Sequence, residues 1–469
     1  MCSCVAEFGG GECAACDGAG DGIDCSNVRV VGDDDGGDDI TSGPCINAGS
    51  CKDVSTTPPL SPEPGEGLPR SYRTDATFLD EVQRMTLPEA SKLAGVPMGA
   101  AVPDNAKGRS WSLETQKEHV PSHYNVIVVE NGMKHSNLLE DESILGIYNF
   151  TNADAIIDHA RLVGADVRGH VLIWGRGRGT TYPEALAVQV EQSETPQETL
   201  KALMDEHIHT VANHFRGRVD VWDVVNEHLS SMIDDNIFYT TLGNDYVRYA
   251  FETTATYLSD DTRLVWNEAL ANFNLDDPTI SWWLDALRTF KEETVPLDGI
   301  GVQGHNINQK HNITELAIFL QAVVDIGYDV ELTEVDAPIT LFSDQEDPFK
   351  EQADFFQEYA NACLSTGRCK GITFWGLDDD NTWYDGLFVE TKPNLPLLID
   401  EEGYVKPAWL GVRNAFESSA KEQEAGEHDV EGDKNNGDET STASYHHSVS
   451  AFYRLILPLL GVLGFLLMA

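Results

Sequence analysis

The chain has 469 residues, enough for one large domain with accessory segments or for two to three ordinary domains. Hydrophobic residues make up 41% of it, which supports a packed core and excludes wholesale disorder. A formal net charge of −47, from 31 basic against 78 acidic residues, argues against a nucleic-acid or anionic-membrane surface; it suits an uncharged substrate, with charge serving solubility.

Seven of the nine cysteines (Cys2, Cys4, Cys13, Cys16, Cys25, Cys45 and Cys51) fall within residues 1–51. Such density among Gly and Asp reads as a disulfide-stapled segment in an oxidising compartment, of the kind a truncated binding module would leave. A zinc module is the rival, with Cys13-x-x-Cys16 the one pair of suitable spacing and no second pair after it. Residues 52–74 are rich in Pro, Ser and Thr and read as an extended linker. A globular body is expected over 75–420.

Within that body, apolar runs of strand length fall at 94–102, 125–129, 167–174, 219–225, 263–267, 299–304, 329–333 and 371–375. Helical periods lie between them, at 153–163, 196–215, 314–326 and 348–364. The second is the clearest: Leu200, Leu203, Met204, Ile208, Val211 and Phe215 share one face. Thr195, Pro196 and Glu198 predict a capping box at its start. Near-continuous apolar strands alternating with helices imply a parallel sheet covered on its outer face. Eight repeats favour a closed barrel over an open doubly wound sheet. The fold class expected is therefore α/β, a (β/α)8 TIM barrel, with a small cysteine-rich N-terminal segment and a disordered acidic C-terminal stalk.

That stalk and a spacer occupy 421–454, and an uncharged apolar tail occupies 455–469. Small residues at Ser441-Thr442-Ala443-Ser444, a polar spacer and an apolar tail form the pattern of a GPI anchor, with Ser441 as candidate attachment site. A single membrane span and a plain terminal helix are the alternatives. No signal-peptide pattern is visible at the N-terminus, although an anchor presupposes entry into the secretory pathway. The expectation is that the natural N-terminus lies upstream of Met1. The protein is expected outside the cell or at its surface, as a monomer, touching membrane only through the tail. Two sequons, at Asn149 and Asn312, agree with a secreted route.

In a parallel barrel the chemistry gathers at the C-terminal ends of the strands. Here strand two ends in Glu130-Asn131, with Lys134 and His135 just after. Strand three carries His170 and ends at Trp174, and strand four ends in Asn226-Glu227. Strand five ends in Asn267-Glu268, and six in Gln303 with His305 nearby. Seven ends at Glu334 with Asp336 beyond, and eight at Trp375 with Trp383 in the following loop. A single glutamate or tryptophan in such a place is ordinarily a solvated loop residue or core. Seven of eight strand ends carrying sugar-handling groups, Glu227 and Glu334 among them, point instead to glycosidic bond hydrolysis, which needs a carboxyl group on each side of the bond.

The segments ENGMK (130–134), VRGHVLIW (167–174), WDVVNE (222–227), LDGIGVQGH (297–305), ELTEVD (331–336), GITFWGLDDDNTW (371–383) and PLLIDEEGYVKPAW (396–409) closely resemble the family 10 glycoside hydrolases, the retaining endo-β-1,4-xylanases. The resemblance covers about residues 88–417. It implies Glu227 as acid/base and Glu334 as nucleophile, the first protonated and the second ionised at working pH. It implies that His305 and Asp336 help hold the nucleophile charged and that Asn226 contacts a sugar 2-hydroxyl. Glu130, Asn131, Lys134, His170 and Gln303 match the family's polar glycone lining. Trp174, Trp375 and Trp383 match its aromatic walls. Cys363 and Cys369 fall where many fungal members carry a local disulfide. The partner implied is xylan or a related plant or algal β-glycan, with no cofactor, no metal and no nucleic acid. Acting on another β-glycan, or binding polysaccharide without cleaving it, are the other readings.

Two positions depart from the family. After Trp174, where the family usually has a His and then a Gln, the run is Gly175-Arg176-Gly177-Arg178-Gly179-Thr180. After Lys134 the family has a Trp, and this chain has His135. Both changes lie on the glycone side and bear on subsite affinity and substrate preference.

Overall fold

The computed structural model describes residues 70–104, 114–231, 236–343, 345–380, 382–384 and 394–434. The cysteine-rich segment, nearly all of the linker, Ser441 and the apolar tail lie outside the described residues.

Eight strands form a closed, all-parallel barrel in chain order: β1 (Met98–Val102), β2 (Val126–Val129), β3 (Asp166–Trp174), β4 (Val221–Asn226), β5 (Arg263–Glu268), β6 (Gly299–Val302), β7 (Asp329–Val335) and β8 (Cys369–Phe374). The ring closes where β1 pairs with β8, Gly99 opposite Thr373. Nearly every strand residue is buried, because one face fills the barrel and the other meets the helical layer. This burial on both faces is why the strands read as unbroken apolar runs.

The barrel interior is not wholly apolar. Arg168 of β3 pairs with Asp223 of β4 and Glu331 of β7, and all three are buried. Arg263 adds a further pair to Glu331 (2.5 Å). Against the cost of burial, these cations hold the Asp223 and Glu331 carboxyls below their ordinary range.

Outside lie the helices, most of which bury one face. Pro196–Phe215 buries Leu200, Met204, His207, Ile208, Val211, Ala212 and Phe215, while Leu203 is only partly buried. The capping box expected at its start does not form: Thr195 is the N-cap but its side chain makes no capping bond. Ser193 Oγ accepts from the Thr195 N–H (3.0 Å), the donor Glu198 would have taken, and pairs with Thr199 Oγ1 (2.7 Å). A complete capping box does form between Thr86 and Glu89, at the start of the helix Leu87–Ala94. That helix ends at Gly95, in the left-handed region at φ 67°, so the first strand starts four residues later than its apolar run.

The last helix, Pro407–Lys434, buries Trp409, Val412, Ala415 and Phe416 and then runs into the stretch read as an acidic stalk. Its Glu, Lys, Gln and Ala residues are strong helix formers, which low apolar content does not cancel. Cys363 and Cys369 form a disulfide joining the end of the helix Pro348–Leu364 to β8. Asn149 and Asn312 are both exposed. Asn312 Oδ1 also caps the helix Ile313–Ile326, accepting from the N–H groups of Thr314 and Glu315. Among the described residues no helix is long and apolar enough to cross a membrane.

His135 is buried with its ring stacked on His207 at 3.6 Å between centroids. His207 Nε2 donates to Leu172 O (3.1 Å), which leaves its Nδ1 an acceptor, 3.1 Å from a Tyr148 hydroxyl whose proton is shared with Glu206 Oε2 (3.1 Å). Burial pushes His207 down to about 3, and burial with the neighbouring imidazole holds His135 well below its usual value. The sign follows directly: the unfolded chain binds protons near pH 6.5 that the folded pair refuses. Stability is therefore complete above about 6.5 and lost as pH falls toward 3. Between pH 6.5 and 5, His207→Gln should flatten the dependence of unfolding free energy on pH by up to about 1.4 kcal/mol per unit. Urea unfolding at stepped pH measures it; an unchanged slope would show that His207 does not carry this dependence.

Candidate active site

The strand ends converge on a cleft of ≈1350 Å³ at the C-terminal mouth of the barrel. Glu227 and Glu334 both line it, with Gln303, His305, Trp174, Trp375 and Trp383. Each carboxyl arrives differently. Glu334 belongs to β7 and is aimed by the strand itself, whereas Glu227 directly follows β4. The Glu227 backbone is left-handed (φ 55°), unusual for a residue with a Cβ, and its N–H is held by Asn267 O (3.0 Å).

Glu334 is buried and clamped from two sides. Asn267 Nδ2 donates to its Oε1 (2.7 Å) and His305 Nε2 to its Oε2 (3.1 Å). His305 Nδ1 in turn donates to Asp336 Oδ2 (2.7 Å), which also accepts from Trp383 Nε1 (2.8 Å). Burial works against a cationic His305, but the carboxylates of Asp336 and Glu334 outweigh it and push it up to about 10. Both ring nitrogens are then donors. Burial likewise opposes a charged Glu334, yet the His305 hydrogen bond and the nearby imidazoles hold its carboxyl below the ordinary range. This carboxylate is kept ionised.

Glu227 has a different set of neighbours. Gln303 Nε2 donates to its Oε1 (2.9 Å), and Arg176 Nη1 lies 3.1 Å from its Oε2. Behind it the buried Glu268 accepts from Trp266 Nε1 (2.7 Å) and from Leu229 N (3.1 Å). Burial, with a smaller contribution from the Glu227 charge, pushes Glu268 up to about 8. It fixes the backbone just after Glu227.

The remaining strand-end residues build the walls. Asp104 Oδ2 accepts from the N–H groups of Asn131 and Gly132, fixing the turn after β2. Asn131 Nδ2 donates to Glu130 Oε1 (3.0 Å), and Lys134 Nζ donates to Asn131 Oδ1 (2.8 Å). The Lys134 ammonium also lies 4.9 Å from the centre of the Trp174 ring. His170 is buried behind the wall, edge-on to Trp174 and Trp375, with Nδ1 on Asp223 Oδ2 (2.9 Å). After β8, the buried Lys406 pairs with Asp379 (2.7 Å) and donates to Leu395 O (2.8 Å), tying the closing segment to the loop that carries Trp383. Asn226 Nδ2, His170 Nε2 and Trp174 Nε1 are buried with no hydrogen-bond partner among the described residues.

Two groups central to this geometry received no role from the sequence. Asn267 pairs in register with Asn226, donates to Asn226 Oδ1 (2.9 Å) as well as to Glu334, and accepts from Thr333 Oγ1 (2.6 Å). The signal was its place at a strand end beside Asn226-Glu227. Arg176 stood inside a run noted only as a departure.

Two carboxyl groups with unlike partners, set among aromatic walls at the mouth of a closed barrel, define the chain as a glycoside hydrolase. It belongs to glycoside hydrolase family 10: the model of that family, Glycosyl hydrolase family 10, matches residues 86–415. Endo-1,4-beta-xylanase B of Thermotoga neapolitana is 28% identical over 320 residues, 67% of this chain and 87% of the relative. Endo-1,4-beta-xylanase A of Humicola insolens is 30% identical over 282 residues, 59% of this chain and 70% of the relative. The crystal structure of native xylanase 10B from Thermotoga maritima matches with a TM-score of 0.61 at 27% identity, covering 72% of this chain and 100% of that one.

Proposed function

We propose that the protein hydrolyses internal β-1,4-xylosidic linkages of xylan by a retaining double displacement, with Glu334 as nucleophile and Glu227 as acid/base. The observation that carries this reading is the unlike treatment of the two carboxyls: Glu334 buried and held ionised between Asn267 and His305, Glu227 met by the neutral amide of Gln303 and a half-exposed Arg176 in the same cleft.

In the first step a Glu334 oxygen attacks the anomeric carbon while the glycosidic C–O bond breaks. The proton on Glu227 passes to the departing oxygen, leaving a glycosyl ester on Glu334 and an ionised Glu227. In the second, Glu227 takes a proton from water as that water attacks the same carbon, and the ester bond returns its electron pair to Glu334. Two inversions give net retention, which requires the carboxyl groups about 5–5.5 Å apart. The unpaired donor Asn226 Nδ2 supports a polar sugar beside Glu334, since a hydroxyl would relieve a buried, unsatisfied group. Trp174, Trp375 and Trp383 offer flat faces for the apolar sides of the sugar rings.

The xylanase names of the relatives favour xylan as the substrate. The same reading has the body act outside the cell as a monomer, with the segment before it serving as an accessory module and the apolar tail as an anchor signal. A reducing-sugar assay on xylan and on barley mixed-linkage glucan tests the substrate: release from xylan at ten times the glucan rate or more is expected. Activity on glucan alone would overturn the assignment, and binding to xylan with no cleavage would overturn catalysis.

A further inference from the structure

The run from Gly175 to Thr180, which departs from the family pattern, is built with Thr181 after it as a fixed mount. A Cβ at residue 175 would lie 2.2 Å from Asn236 Oδ1, so no side chain fits there. Asn236 is itself committed, its Oδ1 capping the helix Ile237–Leu242 through the N–H groups of Phe238 and Tyr239. Gly177 has φ +92°, which L side chains rarely adopt. The Thr181 hydroxyl lies within bonding distance of the carbonyl oxygens of Trp174 (3.0 Å) and Arg176 (2.5 Å). Arg178 is pinned to Glu184 (2.8 Å) and Glu191 (2.6 Å). What the mount presents to the cleft is Arg176, its side chain 52% exposed and its Nη1 3.1 Å from Glu227 Oε2.

We propose that Arg176 is a positioning residue that orients the Glu227 carboxyl and sets the alkaline limit of catalysis on unactivated glycans. The proposal rests on Glu227 being the acid/base. That group alternates between acid and carboxylate in every turnover, and an adjacent guanidinium favours the carboxylate. Arg176 thereby helps the water-activating step and limits the proton-donating one. The other ionisable groups near Glu227 among the described residues are Glu268 after it on β5, Glu334 on β7, and His305 beyond β6; Glu130 and Lys134 line the cleft farther along the wall. His228, the next residue, is buried and pushed down to about 4, hence neutral at working pH. Among the described residues, Arg176 is a cation in contact with the Glu227 carboxyl.

The test compares kcat/KM against pH for the wild-type chain, Arg176→Gln and Arg176→Lys, on xylan and on 2,4-dinitrophenyl β-xylobioside. The dinitrophenolate departs without a proton, so its kcat/KM does not depend on the acid form of Glu227. On xylan, Arg176→Gln should move the alkaline limb to higher pH, because the neutral amide no longer favours the carboxylate form. Arg176→Lys should restore most of the wild-type limb. On the dinitrophenyl substrate the ratio of variant to wild type should be independent of pH. An unmoved limb on xylan, or a fall of equal size on both substrates, would overturn the proposal. Were Glu227→Ala to show no dependence on leaving group, the acid/base assignment itself would fail, a separate result.

Discussion

Glu334→Gly should lose at least ~10⁴-fold in kcat on xylan and on activated aryl xylobiosides alike, because no leaving group, however good, replaces the missing covalent partner. The variant should still bind xylan and fold. Glycine removes a carboxylate from a buried site, but the partners it leaves are His305, still paired with Asp336, and Asn267, still bonded to Asn226 and Thr333. Retained binding separates chemistry from collapse of the site. Hydrolysis at more than a tenth of the wild-type rate would show that Glu334 is not the nucleophile.

Glu227→Ala should behave differently, and the difference identifies its role. On xylan the loss should be roughly 10²–10⁴-fold, the range of a general acid. On 2,4-dinitrophenyl β-xylobioside kcat/KM should stay within about tenfold of wild type, since that aglycone needs no proton. The glycosyl ester should then accumulate, because the same residue is needed to activate water, and a burst of dinitrophenol should precede a slow steady state. Equal losses on both substrates would refute the acid/base role. The partners already differ in a matching way: His305 and Asn267 donate to Glu334, while the neutral Gln303 and the half-exposed Arg176 attend Glu227.

Much of this architecture was legible in the order of residues. Strand cores read clearly because burial on both faces leaves short unbroken apolar runs, as in β2 and β6, each buried throughout, and their alternation with helical periods separates them from buried helix segments. The two glutamates stood out only as members of a set, because seven of eight strand ends carry polar or aromatic groups that isolated solvated loop residues would not supply. Less visible were features decided by pairing across the barrel. Asn267 is one of many asparagines until its register partner Asn226 is known. Arg168, Asp223 and Glu331 look like misplaced charges far apart in the sequence until the barrel closes around them. Local rules also yielded to nearer competitors, as when Ser193 took the N–H that a capping box at Thr195 required. The meaning of Gly175 and Arg176 depended on Asn236 and Glu227, which lie 61 and 51 positions away in the chain.

The direction from which each carboxyl addresses the sugar is tested most directly by azide rescue of Glu334→Gly on 2,4-dinitrophenyl β-xylobioside, with the anomer of the product read by proton NMR. Azide filling the space of the missing carboxylate attacks opposite the leaving group, so the α-xylobiosyl azide is predicted. The β-azide would mean that Glu334 stands on the leaving-group side, reversing the two roles and contradicting a double displacement with Glu334 as nucleophile.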